Sequence, residues 1–458
     1  MGDEPLKSNK YEIDMCSGSI MDKLISFSLP LMLSGILQLM FNAVDLVVVG
    51  RFSGSQALAA VGSTTALISM FINLFIGISL GTNVLAARYY AAGSFREMSE
   101  TVHTSIAFAL ISGIVMIFVG FFFSRFALQL MGTPADVIDQ SVRYMQIYFM
   151  GMPFFMLYNY GAAVLRAVGD TKHPLFFLII AGAANAVLNM ILVIVFDLSV
   201  AGVAIATVIS QIISCVLVLR CLCQSESSYQ LRFSRLMLKP YYLLRIFQVG
   251  IPAGLQSTII NFSNVLLQSS VNYFGATAMA GYTAANNLLS FLYTSVNSVS
   301  QACMSFTSQN YGAGKYKRMD KVLLDCIILT TGLGLLLGCS FYVFGPQILS
   351  IYTNDPEVIQ CGMEILSYTT ITYFLCALMD LFPGAMRGMG HSAIPMVLSV
   401  IGTVGTRIVW IFGIFPSHRS LDILFISYPV SWIFSVLLQV FCFFLIRKKV
   451  YKKMDIAE

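Results

Sequence analysis

The sequence predicts an all-α integral membrane protein, with twelve transmembrane helices in two six-helix bundles related by a pseudo-two-fold axis along the membrane normal. Three observations carry that prediction. Of the 458 residues, 57% are hydrophobic and 11% charged, whereas a soluble domain has roughly a quarter of its residues charged. Charge-poor runs recur along the whole chain, and several are long enough to cross a bilayer, which takes about 20 apolar residues. The chain also matches itself when shifted by 221 residues.

The first run lies between Lys23 and Arg51. It is uncharged until Asp45, which sits roughly two turns before Arg51 and therefore still inside the span. With limits near 24–50 for that run, the others in the first half fall near 56–87, 103–124, 141–165, 174–196 and 201–222. The second half holds 243–272, 278–311, 322–345, 361–386, 393–414 and 422–446. The uncharged stretch from Arg245 to Lys315 is too long for one helix, and Asn-Tyr-Phe-Gly-Ala-Thr at 272–277 breaks it into a hairpin. The hydrophilic stretch 224–240 is a linker between an N-terminal lobe (1–223) and a C-terminal lobe (241–458).

Lys and Arg outnumber Asp and Glu by 27 to 22, and their placement orients the chain. Arg51, Arg125, Arg143 and Arg419 fall on one side and Arg407 inside a span. Every other Lys and Arg belongs to the N-terminal tail, an even-numbered connection or the C-terminal tail. The positive-inside rule then puts both termini in the cytoplasm of a multi-pass plasma-membrane protein. The basic tail Arg447, Lys448, Lys449, Lys452 and Lys453 is a topology signal and gives no reason to expect nucleic acid. Residues 1–15 have no apolar core or cleavage site, so no cleaved signal peptide is expected.

Most of the ten cysteines, Cys215, Cys303, Cys326, Cys376 and Cys442 among them, lie in apolar spans. Cys221 and Cys223 have no second pair, so the cysteines read as small buried hydrophobes. Histidines 103, 173, 391 and 418 are far apart, and the chain has no phosphate-cradling loop or nucleophile elbow. An enzyme, a cofactor and a zinc site are all unsupported.

The self-match holds through loops and spans alike. Tyr90-Ala91-Ala92-Gly93 lies on Tyr311-Gly312-Ala313-Gly314, Arg96 and Met98 on Lys317 and Met319, and Val137-Ile138 on Val358-Ile359. Leu165-Arg166-Ala167-Val168-Gly169 lies on Met386-Arg387-Gly388-Met389-Gly390, and Pro174 on Pro395. One constant offset over so long a stretch is the mark of a repeat. Each half has an even number of spans, so both cross the membrane in the same sense and their axis runs along its normal. Two such bundles rocking about a cleft is an alternating-access architecture. Arg166 and Arg387, each followed three residues later by glycine, read as loop anchors at span ends.

These residues resemble the multidrug and toxic compound extrusion (MATE) transporters of prokaryotic type over nearly the whole chain. The resemblance rests on Pro30 followed by Asp45, the Tyr-Gly-Ala-Gly loop at 311–314, Leu-Arg-x-x-Gly-Asp-Thr-Lys-x-Pro at 165–174, and Gly-Val-Ala-Ile-Ala-Thr at 202–207. It implies an antiporter that exports cationic drugs against proton or sodium flow and works without a cofactor. It assigns ion coupling to Asp45, Asn185, Asn189 and Thr207, and helix bending to Pro30 and Pro252. Many members have an aspartate where this chain has Asn189. The sodium-linked branch has acids that would fall at Ile260 and Cys376, so its sodium site is not expected here. Asp380 stands one turn beyond Cys376 instead.

The residues themselves agree. An acid at the depth of Asp45 costs on the order of 3 kcal/mol even on lenient insertion scales, so it is expected to work. Asn185 and Asn189 are one turn apart and share a face that can meet it. A proton is the expected coupling ion; sodium on Asp45 with amide and hydroxyl oxygens is the alternative. The substrate candidates are Gln38, Phe41 and Asn42 on span one, Asn286 and Asn287 on span eight, and Asp380 on span ten. Arg407, on span eleven, can reach down to Asp380 or up toward Glu364 as an ion pair. The polar stretch at Asn286 and Asn287 fits helix–helix contact as well as a wet cavity. The 24 methionines, 35 phenylalanines and 21 tyrosines suit a cavity for flat cations. The expected partners are small cationic or amphipathic drugs and membrane lipid, and the expected state is a monomer. The rival readings are a lipid-linked-precursor flippase of the wider superfamily and an uncoupled receptor or channel.

Overall fold

The computed structural model describes residues 11–454; the tail residues counted above at 1–10 and 455–458 lie outside them. Among the described residues the chain is helical and contains no strand. Nine helices are long and apolar enough to cross a membrane, and a bent pair, Pro356–Thr369 with Tyr373–Gly388, makes a tenth. The chain is thus a multi-pass membrane protein. Two stretches expected to span are helical but fall outside that test. The 141–165 stretch is divided into α4 (Ile138–Met150) and α5 (Met152–Ala167) by a turn at Gly151. The 278–311 stretch is one 37-residue helix, Ala276–Gly312, whose Asn, Ser, Thr and Gln residues lower its hydropathy.

The molecule consists of two compact units. The first takes the described residues to Asp14 and Leu33–Gly250, the second Met15–Met32 and Ile251 onward. Helix α1 (Ile20–Phe52) therefore changes unit two residues beyond Pro30. A proline inside a helix lacks the donor for one backbone bond and crowds the carbonyl four residues back, so it is a natural point of bending.

In the first unit, α1 is followed by α2 (Gly54–Ala91), α3 (Phe95–Leu130), α4, α5, α6 (Lys172–Asn189) and α7 (Ser199–Gln224). Helix α3 packs on α4 and α5, and α6 on α7. Small residues permit the approach: a Cβ on Gly113 would fall 2.4 Å from Pro153 Cα, and one on Gly120 2.3 Å from Phe149 Cβ. The hydrophilic connection 225–239 is not loose. Tyr229 and Leu231 are buried, and the Tyr229 hydroxyl donates to Glu12 Oε1 at 2.6 Å. Burial, with that bond, holds the Tyr229 phenol above the ordinary tyrosine range.

Helix α8 (Pro240–Val271) passes into the second unit between Gly250 and Ile251, next to Pro252. Then come α9 (Ala276–Gly312), α10 (Tyr316–Val343), the short α11 (Gly345–Leu349), α12 (Pro356–Thr369) and α13 (Tyr373–Gly388). Stretch 393–417 is α14 (Ala393–Ser399) and α15 (Thr406–Val409) joined and extended by wide π turns at Val400–Gly405 and Trp410–Ile414. Helix α16 (Leu421–Met454) closes the unit. The bend of 51° between α12 and α13 has a local cause. Thr369, Thr370 and Thr372 donate their hydroxyls to the carbonyls four residues back, at 2.8, 2.6 and 2.6 Å, which loosens the helical ladder.

The 221-residue offset survives as geometry. After α2 the amides of Ala92, Gly93 and Ser94 donate to Arg88, Tyr90 and Tyr89; after α9 those of Ala313, Gly314 and Lys315 donate to Gln309, Tyr311 and Asn310. Each bond is shifted by that offset. The Leu-Arg-x-x-Gly turns repeat likewise: Asp170 N donates to Leu165 O at 2.9 Å, and His391 N to Met386 O at 2.9 Å. Gly169 and Gly390 both take positive φ, +99° and +88°, a region costly for other residues.

Candidate functional site

In the first unit Asp45 lies on α1, 9% exposed. Asn189 Nδ2 donates to its Oδ1 at 2.5 Å, and Thr207 Oγ1 to its Oδ2 at 3.4 Å. Asn189 Nδ2 also reaches Asn185 Oδ1 at 3.2 Å, and Asn185 Nδ2 reaches Thr207 Oγ1 at 3.5 Å. Three helices thus converge: α1 brings the acid, α6 two amides one turn apart, and α7 a hydroxyl. The four residues singled out for ion coupling are brought together. Asn189 is the last α-helical residue before a π turn at Met190–Val195, a feature common at functional sites.

Two atoms show what the cluster can do. The Thr207 hydroxyl has one proton, and Val203 O, at 3.0 Å, competes for it with Asp45. Asn189 Oδ1 is buried and has no hydrogen-bond partner among the described residues. A buried amide oxygen beside a carboxylate can accept a hydrogen bond or face a cation. The sequence reading missed two neighbours. Tyr144 and Tyr148 on α4 are buried and within electrostatic reach of Asp45. Their spacing of four residues puts them on one face of the helix, which was the available signal.

Phe41, half-buried on α1, lies across Gly182 of α6, where a Cβ would come within 2.1 Å of the ring atom Cε2. Gln38 and Asn42 are exposed.

In the second unit Asp380 on α13 is half-buried. Tyr293 of α9 lies within electrostatic reach of it, as does Asn297 of the same helix, neither anticipated. Arg387, two turns further along α13, acts on it electrostatically and donates Nη2 to Gln256 Oε1 at 2.6 Å. The expected pairing of Arg407 with Asp380 or Glu364 is corrected. Arg407 Nη1 donates to Ser263 Oγ at 2.9 Å and Asn264 Oδ1 at 2.6 Å, and Nε to Ser431 Oγ at 3.4 Å. The guanidinium stacks over the Tyr428 ring, 4.7 Å from its centroid. Its side chain reaches across to α8 and α16, away from both acids. Asn286 is half-buried and Asn287 exposed; neither amide joins a neighbouring helix through a hydrogen bond among the described residues. Arg166 lies in the last turn of α5.

Among the described residues no three His, Cys, Asp or Glu side chains form a metal site, and the ten cysteines are free thiols.

The MatE family pattern matches this chain twice, over residues 30–193 and 252–412. The chain belongs to the MatE family. The two matched segments begin at Pro30 and Pro252, the prolines beside which α1 and α8 change unit. This MatE chain is 30% identical over 446 residues, 95% of each protein, to the probable multidrug resistance protein YoeA of Bacillus subtilis (strain 168). It is 22% identical to the multidrug export protein MepA of Staphylococcus aureus (strain MSSA476), covering 82% of this chain and 84% of that one. Its fold is that of a solved multidrug resistance MATE family transporter of the MOP superfamily in an outward-facing conformation. The TM-score is 0.90 at 18% identity, covering 97% of this chain and all of that one. As a member of this family the chain is a membrane transporter and not an enzyme.

Proposed function

We propose that this MatE chain is a multidrug efflux antiporter that exports organic cations by alternating access and takes up a proton at Asp45 in each cycle. The observation that carries the reading is the buried Asp45 carboxylate beside the unpartnered Asn189 carbonyl oxygen. An ionised Asp45 uses Asn189 as a donor. A protonated Asp45 has a hydroxyl to donate, and a flip of the Asn189 amide turns its idle oxygen toward that proton. One side chain can therefore serve both charge states, which a merely structural acid does not require. The groups now on the two carboxylate oxygens are an N–H and an O–H. Both are hydrogen-bond donors and suit the ionised carboxylate; the proposed cation is a proton, and sodium, the alternative, would draw on the oxygens of Asp45, Asn185, Asn189 and Thr207.

In the proposed cycle, protonation of Asp45 in the outward-facing state rearranges the first lobe and releases the drug. The bundles rock, the proton leaves to the cytoplasm and a new cation binds. Linkage requires that proton and drug weaken each other's binding by the same factor. The proposed frame is twelve helices in two bundles, 1–223 and 241–458 about the linker 224–240. The protein works as a monomer with both termini in the cytoplasm. Gln38, Phe41, Asn42, Asn286, Asn287 and Asp380 are its proposed substrate contacts.

Everted vesicles given external ethidium, energised by a proton gradient alone or a sodium gradient alone, test the reading. The expected result is transport with the proton gradient, absent in Asp45→Asn. Transport on sodium alone would replace the ion, and ion-independent movement would favour an uncoupled protein or a flippase.

A further inference from the structure

We propose that the second unit carries a cation cage of its own, permanently filled by the Arg407 guanidinium, so that ion exchange is confined to the first unit. The inference rests on reading Asp45 as the exchange site, and it begins with the repeat. Asp45 on α1, Asn185 and Asn189 on α6 and Thr207 on α7 shift by 221 residues to Leu266 on α8, Thr406 and Trp410 in stretch 393–417, and Tyr428 on α16. The acid is gone and both amides are gone. The three corresponding helices nevertheless still converge on a polar cluster, and its centre is Arg407. The π turn that follows Asn189 at Met190–Val195 also has its counterpart at Trp410–Ile414, three residues past Arg407.

The surroundings of Arg407 are those of a bound cation. The side chain is 3% exposed, and its partners are neutral: Ser263 and Asn264 on α8, Ser431 and the Tyr428 face on α16. The hydroxyl protons of Ser263 and Ser431 are already given to Ile260 O and Tyr428 O, at 3.0 and 2.8 Å. Their oxygens therefore face the guanidinium with lone pairs. Oxygen ligands and an aromatic face make a cage that favours positive charge. A lone buried cation is expensive, and a guanidinium does not give up its proton. The cage is thus occupied at every step, by a cation that cannot leave. The asymmetry has a consequence: the first unit alternates between loaded and empty, while the second stays loaded.

Removing the arginine side chain should leave a cavity that accepts a free guanidinium ion. In the purified full-length protein, Arg407→Ala is expected to melt below wild type. Low millimolar guanidinium should raise its melting temperature, urea at the same concentration should not, and wild type should respond to neither. In proteoliposomes guanidinium should restore most of the ethidium transport lost in Arg407→Ala. Equal effects of guanidinium and urea would overturn the proposal. If Arg407→Ala does not fold, Arg407→Lys and Arg407→Met decide. Lys should retain transport and Met should lose it, whereas wild-type transport by Met would overturn the cage. The melting measurement involves no ion gradient. Normal proton-driven transport by Asp45→Asn would end the exchange reading and leave the cage standing; failure of rescue by guanidinium would remove the cage alone.

Discussion

In the proposed cycle, two oxygens of one carboxylate and one idle amide oxygen carry the chemistry. Asn189→Leu removes the donor for ionised Asp45 and the acceptor for its protonated form. Transport should fall at least about tenfold, a loss of 1.4 kcal/mol, while Asn42→Leu, exposed on the helix that carries Asp45, should leave the proton dependence unchanged; transport assays across a pH series check both. Asp380 and Arg407 make a contrasting prediction. They have separate partners, so the Asp380→Asn, Arg407→Lys double mutant should show a coupling energy within about 0.5 kcal/mol in thermal unfolding. The Asp45 cluster was legible because an acid in an apolar run is costly and because four-residue spacing fixes a shared face. Its ion-coupling role drew on family resemblance. The partners of Asp380 and Arg407 were not legible. A long arginine reaches several helices, and sequence carries no information on which way α15 is turned toward α8 and α16.

At the scale of elements, breaks decide more than lengths. Gly151 followed by Pro153 is a readable stop and start, yet the uncharged run around it read as continuous. The α12–α13 bend arises from threonine hydroxyls competing for backbone carbonyls, and a threonine-rich stretch reads equally well as straight helix. The turn after α5 offers a sharp test. Gly169 has φ of +99°, and a Cβ there would lie 2.4 Å from Ile13 O. Gly169→Ala should lower stability by more than about 1 kcal/mol, read by thermal unfolding in detergent. Gly182→Val should displace the Phe41 ring and cost about 1–3 kcal/mol. Because Phe41 is one turn from Asp45, ethidium affinity should fall with it.

For the whole molecule, the repeat is the most legible feature and also the least complete. Loop sequences at 90–94 and 165–170 return 221 residues later with the same backbone bonds, since a turn is specified by local chemistry. The polar clusters return with different residues. A carboxylate on α1 has its counterpart in a guanidinium from stretch 393–417, a change of charge that no loop signature reports. With exchange in one unit, the ratio of protons to monovalent drug ions should be one, measured as the proton gradient that just halts net ethidium flux. A ratio of two would require a second exchanging acid, and Asp380 would be the one to examine.

The most direct test of the account is the charge state of Asp45 during transport. Infrared difference spectra of the reconstituted protein, taken before and after adding ethidium, report protonated carboxyl groups. The account predicts a carboxyl band that is lost when the drug binds and is missing from Asp45→Asn. A spectrum in which Asp45→Asn and wild type show the same carboxyl changes would contradict it.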